Sequence, residues 1–264
     1  MRARGKRIGF VPTMGALHDG HLSLIKSARQ RTDGVVASIF VNPLQFGPTE
    51  DFKRYPRLLR KDTALLHSAG TAAVFVPDVA AFYPPEFKTA VSVDDLGDRL
   101  EGAVRPGHFR GVTTVVMKLL QIVQPHVLYL GQKDFQQAVL LRRMILDLCV
   151  PVDVRVCPIV REKNGLAMSS RNAYLSSEKK EQAAVIHRGL QEGKRLLRNG
   201  EPARRVEARV AKLIQSAGLS VDYVSVADRE SLEPFRAKTG QAVLLAAAKL
   251  SGVRLIDNVL VDVT

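Results

Sequence analysis

Tryptophan is absent from this chain and cysteine occurs only twice. Nowhere do apolar residues run on for the roughly 18 positions that a membrane-spanning helix needs. The last absence argues against a membrane partner. With no Trp, and no stretch where basic and aromatic residues interleave, the chain offers no stacking platform for single-stranded nucleic acid. Cys149 and Cys157 flank one strand candidate. Without a secretion signal they read as free, buried thiols of a reducing compartment, which predicts a cytoplasmic protein. The opening Met1–Arg7 is basic, like the start of a leader. The following Ile8–Thr13 is short and broken by Gly9 and Pro12, so it reads as a buried strand.

What the chain has in excess is positive charge. Lys and Arg total 39 against 26 Asp and Glu, a formal charge of +13. Divided at Val160, the excess is +7 (21 basic, 14 acidic) before and +6 (18 basic, 12 acidic) after. It is spread along the chain and forms no basic tail. That pattern fits a basic surface with an anion-binding pocket; charge alone would also permit nucleic-acid binding.

The first 160 residues alternate apolar, β-rich runs with amphipathic ones. Strands are predicted at 7–12, 35–41, 72–76, 127–130 and 152–159, and helices at 21–31, 51–68, 113–123 and 135–148. Near-continuous apolar strands alternating with helices predict an α/β, Rossmann-like, doubly wound parallel sheet. In such sheets ligands bind at the carboxyl ends of the strands. Residues 94–112 read as a long functional loop. After Val160 the pattern changes, with helices at 176–198 and 202–216, then strands at 220–226, 242–245 and 253–261. This predicts two domains, 1–159 binding nucleotide and small substrate, and 160–264 a smaller α+β domain acting as a lid.

The most informative segment is Pro12–His21, where the first strand gives way to a helix. Gly15 and Gly20 permit tight turns. His18 and His21 lie three apart at a helix start, where free N–H groups and the helix dipole favour an anion. The second segment is Gly131–Asp134, directly after a strand. Lys133 there would clamp phosphate and Asp134 would accept from ribose hydroxyls; a plain turn with a helix N-cap explains the same residues. The third is Gly165–Asn172, where Ser169, Ser170 and Arg171 on a flexible loop suit polyphosphate, or simply a surface loop. Asn42, Gln45 and Gln137 are amides near strand ends that could hold a small polar substrate, or face solvent. A paired-histidine helix start and a hydroxyl-plus-cation loop after the last parallel strand resemble the two signatures of the adenylyl-transferring superfamily. Its members include class I aminoacyl-tRNA synthetases and small nucleotidylyltransferases.

Six stretches, Pro12–His21, Phe40–Phe46, Tyr55–Arg57, Leu100–Gly111, Gly131–Gln137 and Gly165–Tyr174, together resemble the pantoate–β-alanine ligase family, in family order and over nearly the whole chain. The resemblance implies an ATP-binding segment of Met14, Gly15, Ala16, Leu17, His18, Asp19, Gly20 and His21, with His21 as proton donor. It implies that Gly131, Gln132, Lys133 and Asp134 hold ribose and phosphates, and that the Val160 backbone reads adenine. Met168, Ser169, Ser170 and Arg171 match the triphosphate loop. Gln45 and Gln137 match pantoate positions, Gln45 lying also near β-alanine, and Asp62 matches a carboxylate that assists Mg²⁺. His18, His21, Lys133 and Arg171 would be the catalytic cations and donors. The implied reaction activates pantoate with ATP as an acyl-adenylate and passes it to β-alanine, in a homodimer without specific nucleic-acid partners. The chain differs from the family pattern at Gln132, where Glu is usual, and at Lys61, where some members have a second acid. Members usually also begin with a further strand and helix. Two rival readings remain at this point: a nucleotidylyltransferase, which has no need of the Gln45 and Gln137 pair, and a non-catalytic RNA-binding module.

Overall fold

The computed structural model of the protein describes residues 2–48, 50–237 and 239–263. The chain forms two compact units, Met1–Gln132 with Gln136–Pro158, and Lys133–Phe135 with Ile159–Thr264.

In the first unit the elements follow as β1 (Ile8–Thr13), α1 (Asp19–Arg29), β2 (Gly34–Ile39), α2 (Leu59–Ser68), β3 (Ala73–Phe75), α3 (Val79–Phe82), α4 (Glu101–Val104), α5 (His108–Val123), β4 (Val127–Gly131), α6 (Phe135–Asp147) and β5 (Asp153–Cys157). The five strands form one parallel sheet in the order β3-β2-β1-β4-β5. Alternation along the strands explains the two-sided packing. Phe10, Leu128 and Leu130 pack into one core with Val116 and Leu120 of α5 and Leu141 and Met144 of α6. Val11, Val127 and Tyr129 point the other way, into a core with Leu24 and Ile25 of α1 and Leu66 of α2. Each large apolar side chain fully buried in this way contributes about 1.5–3 kcal/mol. Because β2 and β4 both pair in parallel with β1, their carboxyl ends share one edge. The strand order reverses at β1, so that edge is the switch point where such sheets bind ligands.

The second unit holds α7 (Ser177–Ala183), α8 (Val185–Arg198), α9 (Ala203–Ser216) and the antiparallel strands β6 (Ser220–Asp228), β7 (Gly240–Leu250) and β8 (Val253–Val263), in the order β6-β7-β8. Ile186, Leu190 and Leu197 of α8 and Val206, Val210 and Ile214 of α9 pack on Leu244, Leu255 and Val261 of this sheet.

The α/β class with a small second sheet agrees with the sequence reading; four local expectations do not. The helix expected over 51–68 begins only at Leu59, after a 3-10 turn at Asp51–Lys53. Pro56 lacks an N–H donor and biases Tyr55 away from helix, which stops the earlier segment from continuing. Residues 94–112 are not one loop, since they contain α4 and the start of α5. The helix expected over 176–198 divides at Ala184. Cys157 is buried as expected, but Cys149 is exposed, on a left-handed turn with φ 49° just after α6. No helix among the described residues is long and apolar enough to cross a membrane.

Candidate active site

At the carboxyl end of β1 the chain turns sharply into α1. Gly15 has φ 82°, and a Cβ there would sit 2.9 Å from Asp62 Oδ2, so only glycine fits. Ala16 follows with φ 50°, a conformation that costs a non-glycine residue of order 1–3 kcal/mol. The Asp62 carboxylate offsets this by accepting the N–H of Ala16 at 2.8 Å and of Leu17 at 2.9 Å.

His18 is the N-cap of α1. Its Nδ1 accepts the Gly20 N–H at 3.1 Å, while His21 Nδ1 accepts the His18 N–H at 3.3 Å. The two histidines thus replace the hydroxyl and carboxylate of an ordinary capping box. An acceptor nitrogen carries no proton, so each neutral ring keeps its hydrogen on Nε2 and donates through it. The rings are half-buried, with centroids 4.2 Å apart. Two N–H donors at a helix amino end, after the central strand, suit an anion. Asp19 is exposed and supplies the acidic residue of the first turn.

After β2, Asn42–Gln45 forms a tight turn. Asn42 is 1% exposed. Its amide oxygen accepts from Leu44 N and Tyr83 Oη, and its nitrogen donates to Gln45 Oε1 and the Gly111 carbonyl. All four of its hydrogen-bonding positions are therefore used. In this arrangement Asn42 orients Gln45. The Gln45 amide in turn donates to Met14 Sδ at 2.8 Å, tying the two candidate segments together.

Leu100–Gly111, to which the sequence reading gave no chemical role, holds this turn in place. His108 Nδ1 donates to the Gln45 carbonyl at 2.8 Å, and its Nε2 faces Arg105 Nη1 at 3.0 Å. Arginine only donates, so Nε2 accepts and the tautomer is fixed. Arg105 also forks onto Glu50 at 2.6 and 2.7 Å. Burial first, and then the Arg105 charge, push the His108 pKa down to about 4. Burial alone would raise the Glu50 carboxyl, but the Arg105 hydrogen bond and charge carry it below its ordinary value. A Cβ on Gly111 would lie 2.2 Å from the Leu44 carbonyl, so the helix approaches the turn as only glycine allows. The nearest sequence signal to these contacts is the spacing of Arg105, His108 and Gly111.

Gly131 ends β4, and Gln132–Asp134 forms a 3-10 turn before α6. Gln137 is half-buried in the first turn of α6. Its neighbour Gln136 is buried and structural, bonding Glu101 N and the carbonyls of Leu96 and Arg99.

In the second unit, Lys133 Nζ lies 3.4 Å from Asp134 Oδ1. The Met168 N–H donates to the Val160 carbonyl at 3.0 Å. Ser169 caps the short 3-10 helix Ser170–Tyr174, accepting the Arg171 N–H at 3.3 Å. Buried Asn172 donates to Glu162 Oε1 and the Ala167 carbonyl, fixing the loop from beneath.

Asp62 does not fit the metal role expected of it. It is 1% exposed, with both oxygens on backbone amides. Among the described residues no three His, Cys, Asp or Glu side chains converge as a metal site.

A family model described as pantoate-beta-alanine ligase matches residues 1–260. The chain belongs to the pantoate–β-alanine ligase family. Its sequence is 49% identical to a pantothenate synthetase of Moorella thermoacetica over 99% of this chain and 93% of that relative. A crystal structure of pantothenate synthetase from Thermus thermophilus superposes with a TM-score of 0.93 at 45% identity, covering 96% and 92% of the two chains. The Francisella tularensis pantoate-beta-alanine ligase, crystallised with "Beta-gamma ATP" and β-alanine, gives a TM-score of 0.83 at 37% identity, covering 97% and 90%. The chain is thus an ATP-dependent ligase that joins pantoate to β-alanine through an amide bond. The nucleotidylyltransferase and RNA-module readings are set aside by this membership.

Proposed function

We propose that the ligase works through pantoyl-adenylate, giving pantothenate, AMP and pyrophosphate. The observation that supports it most is the His18–His21 helix start at the carboxyl end of β1, with two Nε2–H donors at a positive helix terminus. A free carboxylate resists amine attack. When a pantoate oxygen attacks the α-phosphorus of ATP, pyrophosphate leaves and the acyl group acquires a good leaving group. The neutral β-alanine amine then attacks the acyl carbon and AMP departs. Charge building on the phosphate oxygens needs preset donors. We assign this to His18, His21, Lys133 and Arg171. Backbone N–H groups of Met14–His21 serve as phosphate contacts, Gly131, Gln132 and Asp134 as ribose and phosphate contacts, Val160 as the adenine contact, and Met168, Ser169 and Ser170 as triphosphate contacts. Gln45 and Gln137 hold pantoate, with Gln45 also near β-alanine. Magnesium enters as the complex of its co-substrate ATP.

The reading includes a homodimer, a cytoplasmic location and no specific nucleic-acid partner. Sedimentation velocity tests the first. Pantoate-dependent exchange of labelled pyrophosphate into ATP, without β-alanine, tests the chemistry. Exchange requires a reversible adenylate; its absence in an enzyme that still makes pantothenate would contradict the mechanism.

A further inference from the structure

Two adjacent polar residues in β8, Asp257 and Asn258, are 4% and 1% exposed. Neighbours in a strand face opposite sides. On the side of Asp257, Val253, Leu255, Val259, Val261 and Val263 are all in the apolar core. A carboxylate in that row is costly unless paired. Arg161 supplies the pair as a fork, Nη1 to Oδ2 at 2.6 Å and Nη2 to Oδ1 at 2.9 Å. Arg161 Nη1 also donates to the Gly165 carbonyl at 3.0 Å, bracing the turn that Arg161 and Ala167 close. That turn runs directly into Met168–Arg171. On the opposite side of β8, Arg254, Ile256 and Leu260 are half-buried, whereas Asn258 is buried. Its Nδ2 donates to the Lys133 carbonyl at 3.0 Å. The Asn258 N–H donates to Asp257 Oδ1 at 2.8 Å, locking the two side chains to one backbone geometry.

We infer that Asp257–Asn258 is a positioning element of the ligase. Asn258 fixes the backbone at Lys133, and Asp257, through Arg161, fixes the turn that delivers Met168–Arg171. One dipeptide thereby sets two ATP-binding segments that lie about 35 residues apart in sequence. Apolar side chains would fill the same strand at lower electrostatic cost; the polar pair is explained by what it holds. The inference rests on the reading that Lys133 and Arg171 act on ATP.

The test is pantoate-dependent ATP–pyrophosphate exchange in wild type, N258A, K133M, the double variant and R161K, each with its unfolding midpoint. N258A should lower exchange roughly tenfold or more, as misplacement of a reacting group does. Its KM for ATP should rise, while its midpoint falls by no more than the few degrees that the loss of one buried hydrogen bond costs. The double variant should be no worse than K133M, because Asn258 acts through Lys133. R161K keeps the charge but loses the fork, and should raise the KM for ATP. Wild-type exchange in N258A, or losses that multiply in the double variant, would overturn the Asn258 role. An unchanged KM in R161K would overturn the Asp257–Arg161 role. In each case a K133M with weakened but measurable exchange leaves the reading of Lys133 standing. Wild-type exchange in K133M would instead overturn that reading itself.

Discussion

His18 and His21 cap the same helix with each other: the first presents its backbone N–H to Nδ1 of the second, 3.3 Å away, and takes the Gly20 N–H on its own Nδ1. Both rings are thereby committed to donating through Nε2. The cap uses one edge of each ring, and the proposed chemistry would use the other.

His21→Ala should accordingly do two things. It removes one arm of the cap, which costs about 0.5–2 kcal/mol. It also lowers adenylate formation by about 100-fold or more, while β-alanine attack on supplied pantoyl-adenylate stays much closer to wild type. His21→Gln keeps a donor and should fall between. Measuring the two half-reactions separately checks this; equal losses in both would remove the adenylation-specific role.

Asp62 acts on the backbone of Ala16 and Leu17. Asp62→Asn turns an acceptor into a donor facing an N–H, with a stability loss of about 1–3 kcal/mol. The magnesium concentration for half-maximal activity should not change. A large rise in that concentration, with stability intact, would restore Asp62 as a metal ligand.

His108 carries a pH signature. Its folded pKa of about 4 lies below the ordinary value of 6.5. The unfolded chain therefore binds more protons between these limits, and stability rises with pH across that window. The stabilising contribution is complete above about pH 6.5, is lost as pH falls toward 4, and amounts to about 2–3 kcal/mol. His108→Asn, which can keep a donor to the Gln45 carbonyl, should flatten this part of the profile. Denaturant titrations from pH 4 to 8 read it directly; identical slopes in the two proteins would contradict the account.

Part of the positive charge gathers on two helices. Arg188, Arg195, Arg198, Arg204, Arg205, Arg209 and Lys212 are exposed on α8 and α9, where Glu192 pairs with Arg195 and Glu201 with Arg205. Duplex DNA should bind without sequence preference, with a Kd of about 10⁻⁴–10⁻⁶ M at physiological salt and a steep salt dependence. Filter binding at several salt concentrations tests this, and sequence-selective nanomolar binding would contradict it.

The sequence made the scaffold of this site legible because local patterns encode it. Apolar strands, the Pro12–His21 turn and the stop after β4 all act over a few residues. Hidden from it were partnerships across long separations. Nothing in the spacing says that Asp62 reaches Ala16, that Gly111 must lie against Leu44, or that His108 holds the Gln45 carbonyl. Asn42 shows the same limit: its residue type does not tell a solvent-facing amide from the buried one with four partners found here. The helix misplaced at Asp51 and the exposed Cys149 were errors of local boundary, set by Pro56 and by a left-handed turn.

In the proposed reaction a pantoate carboxylate oxygen becomes bonded to the α-phosphorus of ATP before the amide forms. The most direct measurement supplies pantoate labelled with ¹⁸O in the carboxylate, with ATP and β-alanine, and locates the label by mass spectrometry. AMP should carry one ¹⁸O, and pyrophosphate should be unlabelled. Label in inorganic phosphate, with ADP as the nucleotide product, would contradict it.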